Sequence, residues 1–221
     1  MNPTNDEMKK QDIVDELIWD DSVDANDVTV TVHNGTVELN GSVPTFAAKA
    51  AAERDAYLAS DVTAVINNLT VKFPSTRAIP TDAEITTNIE NKLNWNSQVN
   101  ASGIIVQTTN GIVNLSGVVD TYWEKSLAED VALYTDGVID VINDLTVTPV
   151  KSIVDIDIEN DIKKAFTRNS IIDETNISVN VNEGVVTLSG VASSYLEKSR
   201  AYNIAKYTAG VVNVVDNITI A

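Results

Sequence analysis

The sequence predicts an α+β protein of three tandem α-β-β-α-β modules, each a three-stranded mixed sheet with two helices on one face. Three observations carry this. A short segment bounded by glycines occurs three times: Asn34-Gly35-Thr36-Val37-Glu38-Leu39-Asn40-Gly41, Asn110-Gly111-Ile112-Val113-Asn114-Leu115-Ser116-Gly117 and Glu183-Gly184-Val185-Val186-Thr187-Leu188-Ser189-Gly190. Its copies stand 76 and then 73 residues apart. The same offsets align the flanking apolar positions without a gap, from Ile13, Ile89 and Ile162 upstream to Val65, Val141 and Val214 downstream. Such self-similarity marks a repeat architecture. The modules span residues 5–72, 81–148 and 153–221.

Each module opens with a helix. Ile85, Ile89 and Leu93 share one face at helical spacing, as do Ile158, Ile162 and Phe166. Thr81 with Glu84 forms a capping box ahead of the second copy. Two strands follow, read from alternating residues such as Val28, Val30 and Val32, then Val37 and Leu39. The Asn-Gly between them tolerates the positive φ of a tight turn, so the strands pair antiparallel. Glu183-Gly184 is a weaker version of that signal. A second, alanine-rich helix comes next, with capping boxes at Thr121/Glu124 and Ser194/Glu197, and Pro44-Thr45 without a partner acid in the first copy. Gly137 and Gly210 stop this helix, and Asp61 stands at the matching place in the first copy. The last strands are read at Val62–Val71, Val138–Val147 and Val211–Ile220. A longer linker joins the first two modules than the last two, so modules two and three are expected to be tied closely.

Bulk properties bound the function. The 221 residues carry 32 acidic and 15 basic side chains, a formal net charge of −17. That field repels nucleic acid and anionic lipid and attracts cations. With no cysteine, disulfides and thiolate metal sites are excluded. No apolar run follows the lysines near the N-terminus and none is long enough to span a bilayer, so the expected location is the cytoplasm, or the periplasm if a leader has been removed.

With these residues assembled, the repeat resembles the BON domain, named for bacterial osmotically inducible and nodulation proteins. The resemblance rests on the N-G-x-V-x-L-x-G core, the helix beginning near Tyr122 or Tyr195, and the closing run from Gly137 to Leu145 or from Gly210 to Ile218. It implies a bacterial, non-enzymatic protein associated with osmotic stress or transport that works as a binding or scaffold protein, through contact with a protein partner or phospholipid. It further implies, as alternatives, a potassium-binding sensor and a chaperone-like protein. It brings no catalytic residues, no metal ligands and no cofactor beyond a monovalent cation.

The candidate contact residues are Trp123, Lys125, Tyr195 and Lys198. Trp123 aligns with Ala47 and Leu196, and that variability places it at the surface as an exposed anchor. Lys49, Lys125 and Lys198 recur, and the bland reading pairs them with an acid such as Glu53 or Glu129 at i+4. Trp19 and Trp95 align at the end of the first helix and are expected to pack at the edge of the core, with a partner or lipid contact as the alternative. His33, the only histidine, reads as an exposed neighbour of the turn. The acidic runs at Asp20-Asp21-Ser22-Val23-Asp24, around Asp155–Asp161 and at Asp173-Glu174 lack the spacing of a calcium loop and read as solvated helix ends and loops.

Overall fold

In the computed structural model, residues 5–20, 23, 25–59, 61–150 and 153–221 are described. Of the acidic run near the first helix, Asp21, Ser22 and Asp24 lie outside these residues. The first module is α1 (Asn5–Trp19), β1 (Val28–His33), β2 (Thr36–Val43), α2 (Phe46–Leu58) and β3 (Ala64–Val71). The second is α3 (Asp82–Trp95), β4 (Ile104–Thr109), β5 (Ile112–Val119), α4 (Tyr122–Leu133) and β6 (Asp140–Val147). The third is α5 (Asp155–Thr167), β7 (Ile177–Asn182), β8 (Val185–Ala192), α6 (Tyr195–Tyr207) and β9 (Asn213–Ile220). The closing strands begin two residues later than the sequence suggests.

Each module has its own three-stranded sheet with the second strand in the middle. β1 runs antiparallel to β2, and β2 parallel to β3. β7, β8 and β9 repeat this. The mixed sheet follows from the connections. A two-residue turn forces antiparallel pairing, and a crossover helix returns the chain in the same direction. Val30 lies opposite Leu39 and Val32 opposite Val37, all buried, while Thr29, Thr31, Glu38 and Asn40 face outward. Ile13 and Leu17 of α1 join Ala48, Ala52 and Ala56 of α2 in the core over that inner face, so both helices lie on one side. Ile158, Ile162 and Phe166 with Ala201 and Ala205 do the same in the third module. Each fully buried leucine or isoleucine contributes about 1.5–3 kcal/mol. Alanines on the second helix let it approach the sheet closely.

The last glycine of the repeated segment has a steric reason. At Gly117, with φ +119°, a Cβ would lie 2.0 Å from the Gly103 carbonyl oxygen. Gly41 and Gly190 meet Asp27 and Asn176 in the same way. The stop after the second helix is equally specific. Gly137 and Gly210 take φ +87°, and Asp61 takes φ +58° at the matching position, so the first copy keeps the left-handed turn without the glycine. Its compensation is local. A Cβ on Gly137 would press on Ile85, whereas in the first copy Lys9 replaces that isoleucine and reaches the Asp61 carbonyl at 3.3 Å and its carboxylate at 3.7 Å.

The chain divides into two compact units, with the boundary inside the second module. One takes the chain up to Ile89 with Gln107–Val113 and Ala132–Ile142, and the other holds Glu90–Val106, Asn114–Val131 and Asn143–Ala221. In the first unit, Arg77 of the linker pairs with Asp136 at 2.9 Å. In the second, Tyr122 packs against the core of the third module. Among the described residues, no helix is long and apolar enough to cross a membrane.

Candidate functional site

The matched segments Tyr122-Trp123-Glu124-Lys125 and Tyr195-Leu196-Glu197-Lys198 open α4 and α6. Their glutamates are buried, although the charge pattern gives no hint of it. Glu197, 2% exposed, accepts from the Asp173 N–H at 2.7 Å and the Ser193 N–H at 2.7 Å, and from the Ser193 hydroxyl. Burial works to raise its pKa, but the bonds from Ser193 and Asp173 outweigh this and hold the carboxyl below its ordinary range. Glu124 does the same work, accepting from the Asn100, Asp120 and Thr121 N–H groups. The capping boxes are present, with Thr121 and Ser194 accepting from the Glu124 and Glu197 N–H. In the third copy, however, the carboxylate turns to Ser193 rather than Ser194. The buried acid therefore ties the loop after the first helix to the start of the second.

The lysines do not pair with an acid four residues on. Lys125 donates to the Leu145 carbonyl at 2.7 Å. Lys198 donates to the Ile218 carbonyl and lies 3.6 Å from Asp216. Glu129 instead accepts from the Asn143 side chain, which also reaches the Lys125 carbonyl, and Glu53 and Asn67 repeat the arrangement. Both carbonyls belong to the last strand of the module, which is the edge of its sheet, so the lysine ties the second helix to that edge. Tyr195 is half-buried at the start of α6.

Trp123 is not an exposed anchor. It is half-buried and packs on Tyr207, with ring centroids 4.3 Å apart and planes inclined by 35°. The Lys206 ammonium sits 5.3 Å from the indole centroid and 3.7 Å from Asp130. Beside this contact, the Tyr122 and Tyr202 hydroxyls are 3.1 Å apart. Burial and that hydrogen bond push the Tyr202 phenol well up from its ordinary range.

Trp19 and Trp95 also depart from the expectation that they edge the core. They are 84% and 90% exposed. The inward stripes end at Leu17 and Leu93, and two residues further along a helix the side chain points away from that face. The third copy places the exposed Arg168 there. His33 is exposed, as read.

One recurring residue escaped the sequence reading. Asp6, Asp82 and Asp155 occupy the same place at the start of the first helix. Asp82 accepts from the Asn110 and Gly111 N–H groups at 2.8 and 2.9 Å, and Asp155 accepts from Glu183 and Gly184 at the same distances. Asp6 reaches the Asn34 N–H at 3.3 Å. The threefold recurrence of an aspartate was the available signal. It makes Asp155 a clamp on the hairpin rather than part of a solvated run. Asp173 likewise binds Thr175, whose hydroxyl and N–H hold its carboxyl below the ordinary range. Asp55 is a buried carboxylate peculiar to the first module. Burial pushes it up, and Arg54, bonded to it and to Asp20, offsets part of that. Among the described residues, no group of three or more such side chains is placed to hold a metal ion.

The geometry is thus one of tied helix starts and exposed indoles, with polar groups committed to internal bonds. Comparison with known proteins agrees with a threefold module. The family model described as "BON domain" matches residues 5–72, 81–149 and 155–221. The chain is 29% identical over 143 residues to the osmotically-inducible protein Y of Escherichia coli (strain K12), covering 62% of this chain and 71% of that protein. It is 36% identical over 103 residues to a 21 kDa hemolysin of Actinobacillus pleuropneumoniae, covering 46% of this chain and 53% of that protein. Among solved structures, CdsD, a structural protein of the type III secretion system of Chlamydia trachomatis, aligns over 96% of this chain and 91% of its own at 17% identity, with a TM-score of 0.28.

Proposed function

The chain belongs to the BON domain family, and on that premise we propose that it is a non-catalytic, stress-related bacterial binding or scaffold protein acting through contact with a protein partner or a phospholipid surface. The observation that carries this is the exposure of Trp19 and Trp95 at matched helix ends. An indole in water keeps a large apolar face hydrated, and it suits a half-wet interface. The name of the osmotically inducible relative supports the stress context. The contact surface moves accordingly. Trp123, Lys125 and Lys198 are engaged within the chain, and the two exposed tryptophans take their place as contact residues.

Tryptophan fluorescence tests this, because two of the three indoles are solvated in the free chain. Zwitterionic phosphatidylcholine vesicles, or a partner captured from salt-stressed cells, should shift the emission to the blue. Trp19→Ser with Trp95→Ser should abolish the shift, while Trp123 keeps its own emission. Added anionic lipid should weaken vesicle binding, given the net charge of −17. The absence of both a shift and a captured partner would end the proposal.

A further inference from the structure

Matched positions meet at the contacts between modules, and they meet in one direction. In the second unit, Trp123 at the start of α4 packs on Tyr207 at the end of α6. In the first unit, Phe46 and Ala47 at the start of α2 line a cleft with Leu133 and Tyr134 at the end of α4. By the repeat register, Ala47, Trp123 and Leu196 are one position, and Leu58, Tyr134 and Tyr207 are another. Each junction therefore sets the start of the second helix of one module against the end of the second helix of the next. The two surfaces differ, so the contact is heterologous.

One half of this junction is left over at each end. Leu196, the third-module counterpart of Trp123, is 55% exposed. Leu58, the first-module counterpart of Tyr134 and Tyr207, is 64% exposed. Both leftover positions are apolar, although the rest of the chain is strongly acidic. We infer that a second copy of this chain docks head to tail, with the start of α6 around Leu196 of one copy against the end of α2 around Leu58 of the next. The occupant follows from continuity with the junctions already formed. In both junctions the start of a second helix meets the end of another second helix, and the end left over is on module one.

Sedimentation of the full chain over rising concentration, into the sub-millimolar range, tests this. The wild type should rise in mass above the monomer. Leu58→Asp and Leu196→Asp lie at exposed positions, so each variant should fold with an unchanged circular dichroism spectrum and stay monomeric. An equimolar mixture of the two variants should sediment at twice the monomer mass and no further, since one variant keeps each half of a single junction. A wild type that remains monomeric, association that survives either substitution, or a mixture that fails to pair would each overturn the inference.

Discussion

Replacing Glu197 with alanine isolates what a buried capping carboxylate contributes. The side chain is 2% exposed and holds the Asp173 N–H, the Ser193 N–H and the Ser193 hydroxyl. Alanine leaves two backbone donors of part-buried bonds without an acceptor. The hydroxyl can turn away. Each stranded donor costs about 1–3 kcal/mol, so the loss is about 3 kcal/mol in all. Hydrogen exchange read by mass spectrometry on the full chain reports each module separately. Peptides of α6 and of the loop at residues 171–176 should exchange on the order of a hundredfold faster, while those of the first module should not change. The effect has a pH signature. The folded state holds this carboxyl below its ordinary value of 4.5, so its stabilisation is complete above that value and fades as pH falls through the lower folded one. The gap between wild type and Glu197→Ala should therefore narrow in acid. A gap below a few tenths of a kcal/mol at neutral pH, or one that does not move on acidification, would refute the reasoning.

Asp55→Val should stabilise the first module by about 1–2 kcal/mol at neutral pH, because Val131 and Ile204 fill the same position in the other copies. Burial raises the Asp55 carboxyl, so its cost is present above the folded value and vanishes below it; melting curves should show the advantage of the variant shrinking in acid. Ala47→Trp should fill the cleft lined by Leu133 and Tyr134 as Trp123 does on Tyr207, adding about 1 kcal/mol to that junction, visible as a higher melting temperature and slower exchange at the end of α4. Added salt should raise the melting temperature by screening a net charge of −17, equally for potassium and sodium chloride; a surplus in potassium at equal ionic strength would establish a potassium site instead.

Much of the fold was legible in the sequence because its determinants are local. An Asn-Gly pair fixes a turn, a Thr-x-x-Glu fixes a helix start, and three copies in register allow each position to be checked against two others. Asp61 in place of glycine weakened the helix-stop signal of the first copy. It is half of an exchange with Lys9, which stands where the other copies have isoleucine. The candidate site was less legible. Trp123 looked exposed because its position varies, but it varies because each copy meets a different neighbour: Tyr134 lies across a cleft from Ala47, and Tyr207 lies against Trp123.

The sequence by itself determined the module, its threefold repetition, its turns and its caps, since these depend on residues within a few positions of one another. Only the tertiary structure decided where the polar side chains end. Asp82 reaches a turn 28 residues away, Lys125 a carbonyl 20 residues away and Glu197 a loop 24 residues away. The structure likewise left Trp19 and Trp95 in solvent, two residues past the buried stripe of their helices. The reason is geometric. Which unpaired backbone group lies within reach of a side chain depends on how a helix is seated on its sheet, and that seating is set by the whole core.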